Sequence, residues 1–538
     1  MSTQFLRVLL YSKAIDYKKH ILLLSMFCLW LILIITESYA HAVWRDETRA
    51  LTIAVTSTSF MDLIHRLHTE GHPALWYLIL RSAHALIPFP AILKFVSISI
   101  AASAAMLLLW RSPFPIWLRC GLLLSQFFSF EYSVMARNYG ISILLMFIFS
   151  SLYEKHRSRG ITLSIILLLM ANTNILSAII SILLLIFWLI DNCYTRKINE
   201  TKPAKIILTI NASIVLLGLG LCIASIYPSS YNTTFTHSNL STSELMNCIF
   251  FPGKYFFDII PPIQAKPALQ IIAGSMSLIF STFILADSPI LLILLTASLF
   301  AFSCFFSLVY PGSYRHQDIW IAFMITLFWI SQNQEKNNRS KKSLLKKIGF
   351  ISALILLCGQ IWTGIAYVHA ALDAQTPYSQ AKNLSILIAH QSRLHDAIIM
   401  AEPDFLIDAI PYYIQNPTYL LREQRFGAYF TPTDKGIHEQ MTLGKILAEA
   451  KMLMATKHRP VIILLQKQLD QPLSAQSDQD RSGPFPLILS AKDVDTFLRS
   501  TIKLASLQAS SGCNEGLIGP VRTWACDRFD VYLFPAKQ

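Results

Sequence analysis

Apolar residues along this chain come in blocks rather than in alternation. Runs at 21–36, 91–110, 117–134, 140–153, 161–175, 179–191, 206–227, 268–285, 290–309, 320–331 and 348–368 stand out. Each approaches the ~20 residues that cross a bilayer as a helix. They predict about eleven spanning helices, although Glu131 interrupts the third run and the tenth is short. From about residue 371 the pattern changes. Ala397–Ala401 and Val461–Leu465 are apolar runs of strand length, and Phe529–Phe534 reads as a last strand. Helical patterns fall near Asp404–Gln415, His438–Thr456 and Ala491–Gln508. Strands alternating with helices predict a small, mostly parallel sheet, and Gln471–Pro486, rich in Ser, Asp, Gln and Pro, reads as an exposed loop. The expected fold class is therefore a polytopic α-helical membrane protein with a C-terminal soluble α/β domain. Residues 1–370 form the membrane part, with a long loop at 40–90, and residues 371–538 form the soluble part.

Composition agrees with that division. Of 538 residues, 54% are hydrophobic and only 14% are charged, against roughly 25% charged in soluble domains. The net charge of +13 does not imply a nucleic-acid partner, because most basic residues sit in short loops between apolar runs, with neither zinc-finger spacing nor alternating basic and aromatic positions. Lys13, Lys18 and Lys19, then Arg111 and Arg119, then Lys155, Arg157 and Arg159, then Arg196 to Lys205, then Lys336 to Lys347 fall on one side of the bilayer. By the positive-inside rule that side is cytoplasmic, and so is the N-terminus. Residues 40–90, 135–139, 228–266 and 310–317, and the tail, then lie on the other side. The first apolar run has no small-residue cleavage signature after it and reads as a retained anchor.

Seven of nine cysteines lie in or near apolar runs, and no Cys-x-x-Cys pair occurs. Cys513 and Cys526 alone belong to the tail, where an oxidising compartment would join them as a disulfide.

Four polar clusters share the non-cytoplasmic side. Trp44-Arg45-Asp46-Glu47-Thr48-Arg49 follows the first span, and Gly71-His72-Pro73-Ala74-Leu75-Trp76-Tyr77 makes a turn into an aromatic helix. Ala136-Arg137-Asn138-Tyr139-Gly140 lies between spans three and four, and Tyr310-Pro311-Gly312-Ser313-Tyr314-Arg315-His316 between spans nine and ten. Each has a plain explanation alone: acids favour a first helical turn, aromatics belong at the interface, and arginines reach for headgroups. His65, His68 and His72 share a helical face near Glu70. A divalent metal there is the minor alternative, and no cofactor is otherwise implied.

Taken together the clusters resemble the GT-C superfamily of membrane glycosyltransferases, in the branch of bacterial relatives of protein O-mannosyltransferases and lipid A aminoarabinose transferases. Asp46-Glu47, the His72 turn and Arg137-Asn138-Tyr139 carry the resemblance over about residues 20–190. Ala74 departs from the family's second proline. The resemblance implies a polyprenyl-phosphate sugar as donor, a hydroxyl or similar group on a lipid, glycan or protein as acceptor, and a bacterial inner membrane. Such a displacement needs one base for the acceptor proton and cations for the leaving phosphate. Asp46 is the expected base, and Glu47, His72 and Tyr139 are expected to position substrate. Arg137, Arg315 and His316 are expected around the donor phosphate, with Lys254 and Lys266 as weaker candidates.

Two other classes compete. A transporter or flippase of lipid-linked glycans would want ionisable groups at mid-depth, where Glu131 is the one carboxylate expected. No internal repeat of the inverted kind appears either. A non-catalytic scaffold is the third reading.

Overall fold

The computed structural model describes residues 3–158, 160–195, 202–227, 241–260, 266–335, 344–372, 379–431, 436, 439–469, 485–508 and 528–534. Cys513 and Cys526, and most of the loop expected at 471–486, lie outside these residues.

Among the described residues, fifteen α-helices make the first part. They are α1 (Thr3–Ala40), α2 (Arg45–Thr56), α3 (Phe60–Leu67), α4 (Leu75–Leu86), α5 (Ile92–Arg111), α6 (Ile116–Leu123), α7 (Tyr139–His156), α8 (Ile161–Ala171), α9 (Ile175–Ile190), α10 (Lys202–Ile226), α11 (Thr242–Phe250), α12 (Pro267–Thr282), α13 (Pro289–Leu308), α14 (Tyr314–Glu335) and α15 (Leu344–Leu372). Each of the eleven expected runs is largely helical. Among the described residues, seven helices are long and apolar enough to cross a bilayer: within α1, α5, α10, α13 and α15, and including the short extensions of α9 and α12. The other runs differ for physical reasons. The 117–134 run is split into α6 and a π-helical turn at Phe127–Glu131. Helix α8 has only 11 residues, and α14 opens with Arg315, His316, Gln317 and Asp318. Leu29, Ile32, Phe95, Leu216 and Ile293 stand well exposed on the spanning helices. A soluble fold would bury such side chains, whereas a hydrocarbon surrounding welcomes them. The chain is a polytopic α-helical membrane protein.

Contacts sort the helix ends into two sets. At one end, Arg119 donates to the carbonyls of Leu109, Ser112 and Phe114, Arg157 pairs with Asp191 at 3.4 Å, and Lys346 pairs with Asp287 at 2.9 Å. At the other, Lys94 donates to the carbonyls of Ser38 and His41. There too Asn138 donates to the Thr173 carbonyl at 2.6 Å, and His68 meets the Ala224 carbonyl at 3.2 Å. Segments 40–49, 70–72, 135–139 and 310–316 all belong to this second end.

Beyond α15 come α16 (Ala381–Ala389), β1 (Ile398–Glu402), α17 (Ile410–Tyr413), β2 (Thr418–Leu420), β3 (Arg425–Phe426), β4 (Met441–Thr442), α18 (Leu443–Lys457), β5 (Val461–Leu465), β6 (Leu487–Ile488), α19 (Ala491–Ser500), β7 (Ile502–Leu507) and β8 (Phe529–Phe534). A six-stranded sheet runs in the order β3-β2-β1-β5-β8-β7. Its central β2-β1-β5 strands are parallel, while β3, β8 and β7 join antiparallel. The sheet is thus mixed rather than mostly parallel. Alternation along β1 and β5 supplies both faces. Ile399, Ala401, Ile462 and Leu464 pack with Leu384, Phe405 and Ile410, and Ile398, Met400, Ile463 and Leu465 pack with Ile446, Leu447 and Leu453 of α18. The helix expected through Gln508 stops at Ser500, Thr501 is extended, and the chain continues as β7.

Candidate functional site

The Asp-Glu pair opens α2, and the two side chains part company there. Successive residues on a helix point about 100° apart. Glu47 turns inward and is fully buried. Its Oε2 accepts from the Trp44 N–H at 2.8 Å and meets His41 Nε2 at 2.9 Å, while Oε1 accepts from the Ala136 N–H at 2.7 Å. The reach back to Trp44 is half of a capping box. The bond to Ala136 ties α2 to the turn before Arg137. Burial alone would raise this carboxyl, but His41 and the backbone donors bring it below its ordinary range. Glu47 therefore sits where it joins two segments of chain, buried and turned away from Arg137 and Arg315.

Asp46 turns outward, and its side chain is 35% exposed. Arg137 Nη1 lies 2.6 Å from Asp46 Oδ2, and Arg315 Nη1 lies 3.8 Å from the same oxygen. Arg45 Nε is 3.8 Å from Oδ1. Burial would raise this carboxyl too, but Arg137, Arg45 and Arg315 hold it well below the usual carboxylate range.

His72 follows Gly71, whose φ of +68° is a conformation that favours glycine. Arg137 Nη2 donates to His72 Nε2 at 3.1 Å, so that nitrogen is an acceptor and the ring is neutral. Burial, together with Arg137 and Arg315, brings His72 down to about 3. Tyr139 begins α7, and its hydroxyl meets His316 Nε2 at 2.9 Å. His316 Nδ1 accepts from the Ser313 N–H at 3.1 Å. The neutral ring therefore carries its proton on Nε2 and donates it to the Tyr139 oxygen. A Cβ on Gly140 would meet the Tyr132 carbonyl at 2.8 Å, so glycine lets the 130–134 turn lie against α7.

Arg315 is held from several directions. Glu131 Oε1 is 3.3 Å from its Nε, Tyr132 OH donates to its carbonyl at 2.7 Å, and the guanidinium lies over the Trp44 ring at 5.2 Å. The structure thus brings together Asp46, His72, Arg137, Tyr139, Arg315 and His316. Lys254 lies apart from this group and pairs with Glu244 at 3.3 Å. Among the described residues, no group of three or more His, Cys, Asp or Glu could hold a metal ion. His72 is engaged by Arg137, and His68 by a carbonyl.

Trp44 was read only as the start of the Asp46 cluster, and Glu131 and Tyr132 were not expected in the site; the one signal for these two was the Glu131 carboxylate inside an apolar run. Glu131 is also not alone in being buried, as Glu37, Asp258 and Asp318 are buried too.

Fold and site together define a polytopic membrane protein with a cluster of arginines and carboxylates at one set of helix ends and a mixed-sheet α/β part beside it. The solved structure of ArnT from Cupriavidus metallidurans in the apo state is similar over 97% of this chain and 98% of that one, at a TM-score of 0.44 and 11% sequence identity. No family model matches the chain, and no curated protein matches it.

Proposed function

We propose that this chain transfers a sugar from a polyprenyl-phosphate donor to a lipid, glycan or protein acceptor by a single inverting displacement. The observation that carries the reading is the meeting of one partly exposed carboxylate, Asp46, with Arg137 and Arg315 at the membrane-helix ends. The GT-C resemblance of the Asp46, His72 and Arg137 motifs supplies the reaction class.

In this reading the donor phosphate takes Arg137 and Arg315 from Asp46, since a guanidinium fork fits phosphate oxygens as well as carboxylate. The acceptor oxygen attacks the anomeric carbon as the bond from that carbon to the phosphate oxygen breaks. The electron pair leaves on phosphate, where the two arginines meet the growing charge. The acceptor proton passes to Asp46, which regains basicity once the arginines are engaged elsewhere. His72 orients Arg137, and Glu131 with Tyr132 orients Arg315. Tyr139 and His316 border the sugar side. Glu47 fixes α2 against the Arg137 turn, and Lys254 has only a peripheral claim on phosphate. In this reading the Asp46 cluster faces the non-cytoplasmic side of a bacterial inner membrane, with the N-terminus cytoplasmic and residues 371–538 outside.

A second reading, movement of a lipid-linked glycan, draws on Glu37. It is buried near the end of α1, with no hydrogen-bond partner for either carboxylate oxygen among the described residues. The test is transfer of label from polyprenyl-phosphate pentoses and hexoses by purified protein. Transfer that Asp46→Asn abolishes is expected. Label that crosses vesicles without changing its chemical linkage would favour the second reading instead.

A further inference from the structure

The strand-bearing part rests directly on α2, one helical turn from Asp46. Arg49 is the junction. Its Nε and Nη2 donate to Glu70 Oε1 at 2.7 and 2.6 Å, and its Nη1 donates to Asp408 Oδ2 at 3.0 Å and to the Phe430 carbonyl. Asp408 Oδ1 accepts from the Phe430 N–H at 2.8 Å, and its carbonyl accepts from Thr48 Oγ1 at 2.9 Å. Two more contacts flank these: Val43 N–H donates to Tyr413 OH at 2.7 Å, and Arg45 lies over the Phe405 ring at 4.3 Å. The Asp408 side chain is 2% exposed.

One arginine therefore holds three pieces of chain at once. These are α2, which carries Asp46, the 70–72 turn, which carries His72, and the 405–430 segment, which lies some 360 residues away in sequence. Glu70 precedes Gly71 and His72, so moving Arg49 would move both the Asp46 helix and the His72 turn. A surface ion pair would add little. Here the carboxylate is buried, so removing its charge leaves Arg49 held by Glu70 and the Phe430 carbonyl, with no charged group on the 405–430 side.

We propose that Asp408 is a positioning residue, through which the strand-bearing part sets α2 and the His72 turn at the spacing the Asp46–Arg137–Arg315 cluster requires. This gives residues 371–538 a role in the chemistry without any contact to substrate. It rests on the reading of Asp46 as base, and the test keeps the two apart.

The experiment uses the purified full-length chain and two variants. Asp408→Asn keeps the oxygen that receives the Phe430 N–H but sets an NH2 against the Arg49 guanidinium. Asp408→Glu keeps the charge. Hydrogen exchange of the 45–56 amides should rise about tenfold or more in Asp408→Asn, while exchange in β1 and β5 stays as in the native chain. Asp408→Glu should restore most of the protection. In the transfer assay Asp408→Asn should lower kcat about 10- to 100-fold, with KM for the polyprenyl-phosphate sugar within about threefold, as expected of misplaced catalytic groups. Unchanged exchange over 45–56 would overturn the proposal. So would an equal rise in β1 and β5, which would make Asp408 merely a stabiliser of its own sheet. If the native chain transfers no sugar the glycosyltransferase reading fails, and the exchange data alone decide whether the strand-bearing part holds α2.

Discussion

Two arginine–carboxylate clusters in this molecule use the same groups in opposite ways. In the strand-bearing part, Arg422 is wholly enclosed and forms a fork on Glu402, the last residue of β1. Its remaining donors go to the carbonyls of Gly436, Glu439 and Pro486. Asp404 completes the enclosure by accepting from the Leu421 and Arg422 N–H groups at 2.7 and 2.9 Å. At the helix ends, Asp46 leaves a third of its side chain to solvent while three arginines surround it. The first cluster sets two carboxylates, Glu402 and Asp404, about one cation and has no opening, so it holds chain to chain. The second has an excess of cation and an opening, so its arginines can exchange one anion for another. Whether a charged pair builds structure or waits for a ligand is decided by its enclosure and its charge balance.

The sharpest way to break this contrast is to remove one member from each cluster. Asp46→Asn should lower transfer about 100- to 10,000-fold, the usual range for a lost general base, with the protein still inserted at normal abundance. Arg422→Ala should do the reverse. It leaves Glu402 buried without its partner, and the strand-bearing part should lose about 3–5 kcal/mol in denaturant unfolding. Arg137→Ala should leave stability within about 1 kcal/mol, because its carboxylate partner can turn to water, yet donor binding and turnover should both fall. Arg137→Lys should recover part of each, since an ammonium lacks the planar fork.

The smallest effect concerns pH. Asp46 lies well below the usual carboxylate range, so it is ionised throughout the neutral range in the donor-free protein. A carboxyl depressed by folding stabilises the fold above its unfolded value of ~3.9, and that contribution is lost as pH falls below it. The free protein's acid limb, read in kcat/KM, should therefore not arise from Asp46 near neutrality. In the donor complex the phosphate would occupy the arginines and Asp46 would rise. The acid limb of kcat should lie at higher pH than that of kcat/KM. Coincident limbs would contradict an exchange of partners.

The sequence carried the helices well because lipid demands long apolar runs, and those runs are each largely helical. It carried the β1, β5 and β8 strands for a related reason, as their residues are buried on both faces. It did not carry β2 or β3, which are too short to leave a pattern, nor β7, whose exposed, mixed residues continue the helical pattern of α19. Site residues were legible where several polar clusters shared one side of the membrane. The opposite fates of Asp46 and Glu47 were not, because adjacency in sequence says nothing of which way each points until α2 is packed. Nor was Asp408, whose partner Arg49 lies at the other end of the chain. A contact across that distance leaves no local trace.

The central claim is that Arg137 and Arg315 form a phosphate site that Asp46 occupies until a donor arrives. Titration of the purified chain with polyprenyl phosphate, which carries no sugar, tests it directly. Removing a competing carboxylate should strengthen binding, so Asp46→Asn should bind polyprenyl phosphate about tenfold more tightly than the native chain, while Arg137→Ala binds more weakly. Weaker binding in Asp46→Asn, or no change, would contradict the claim.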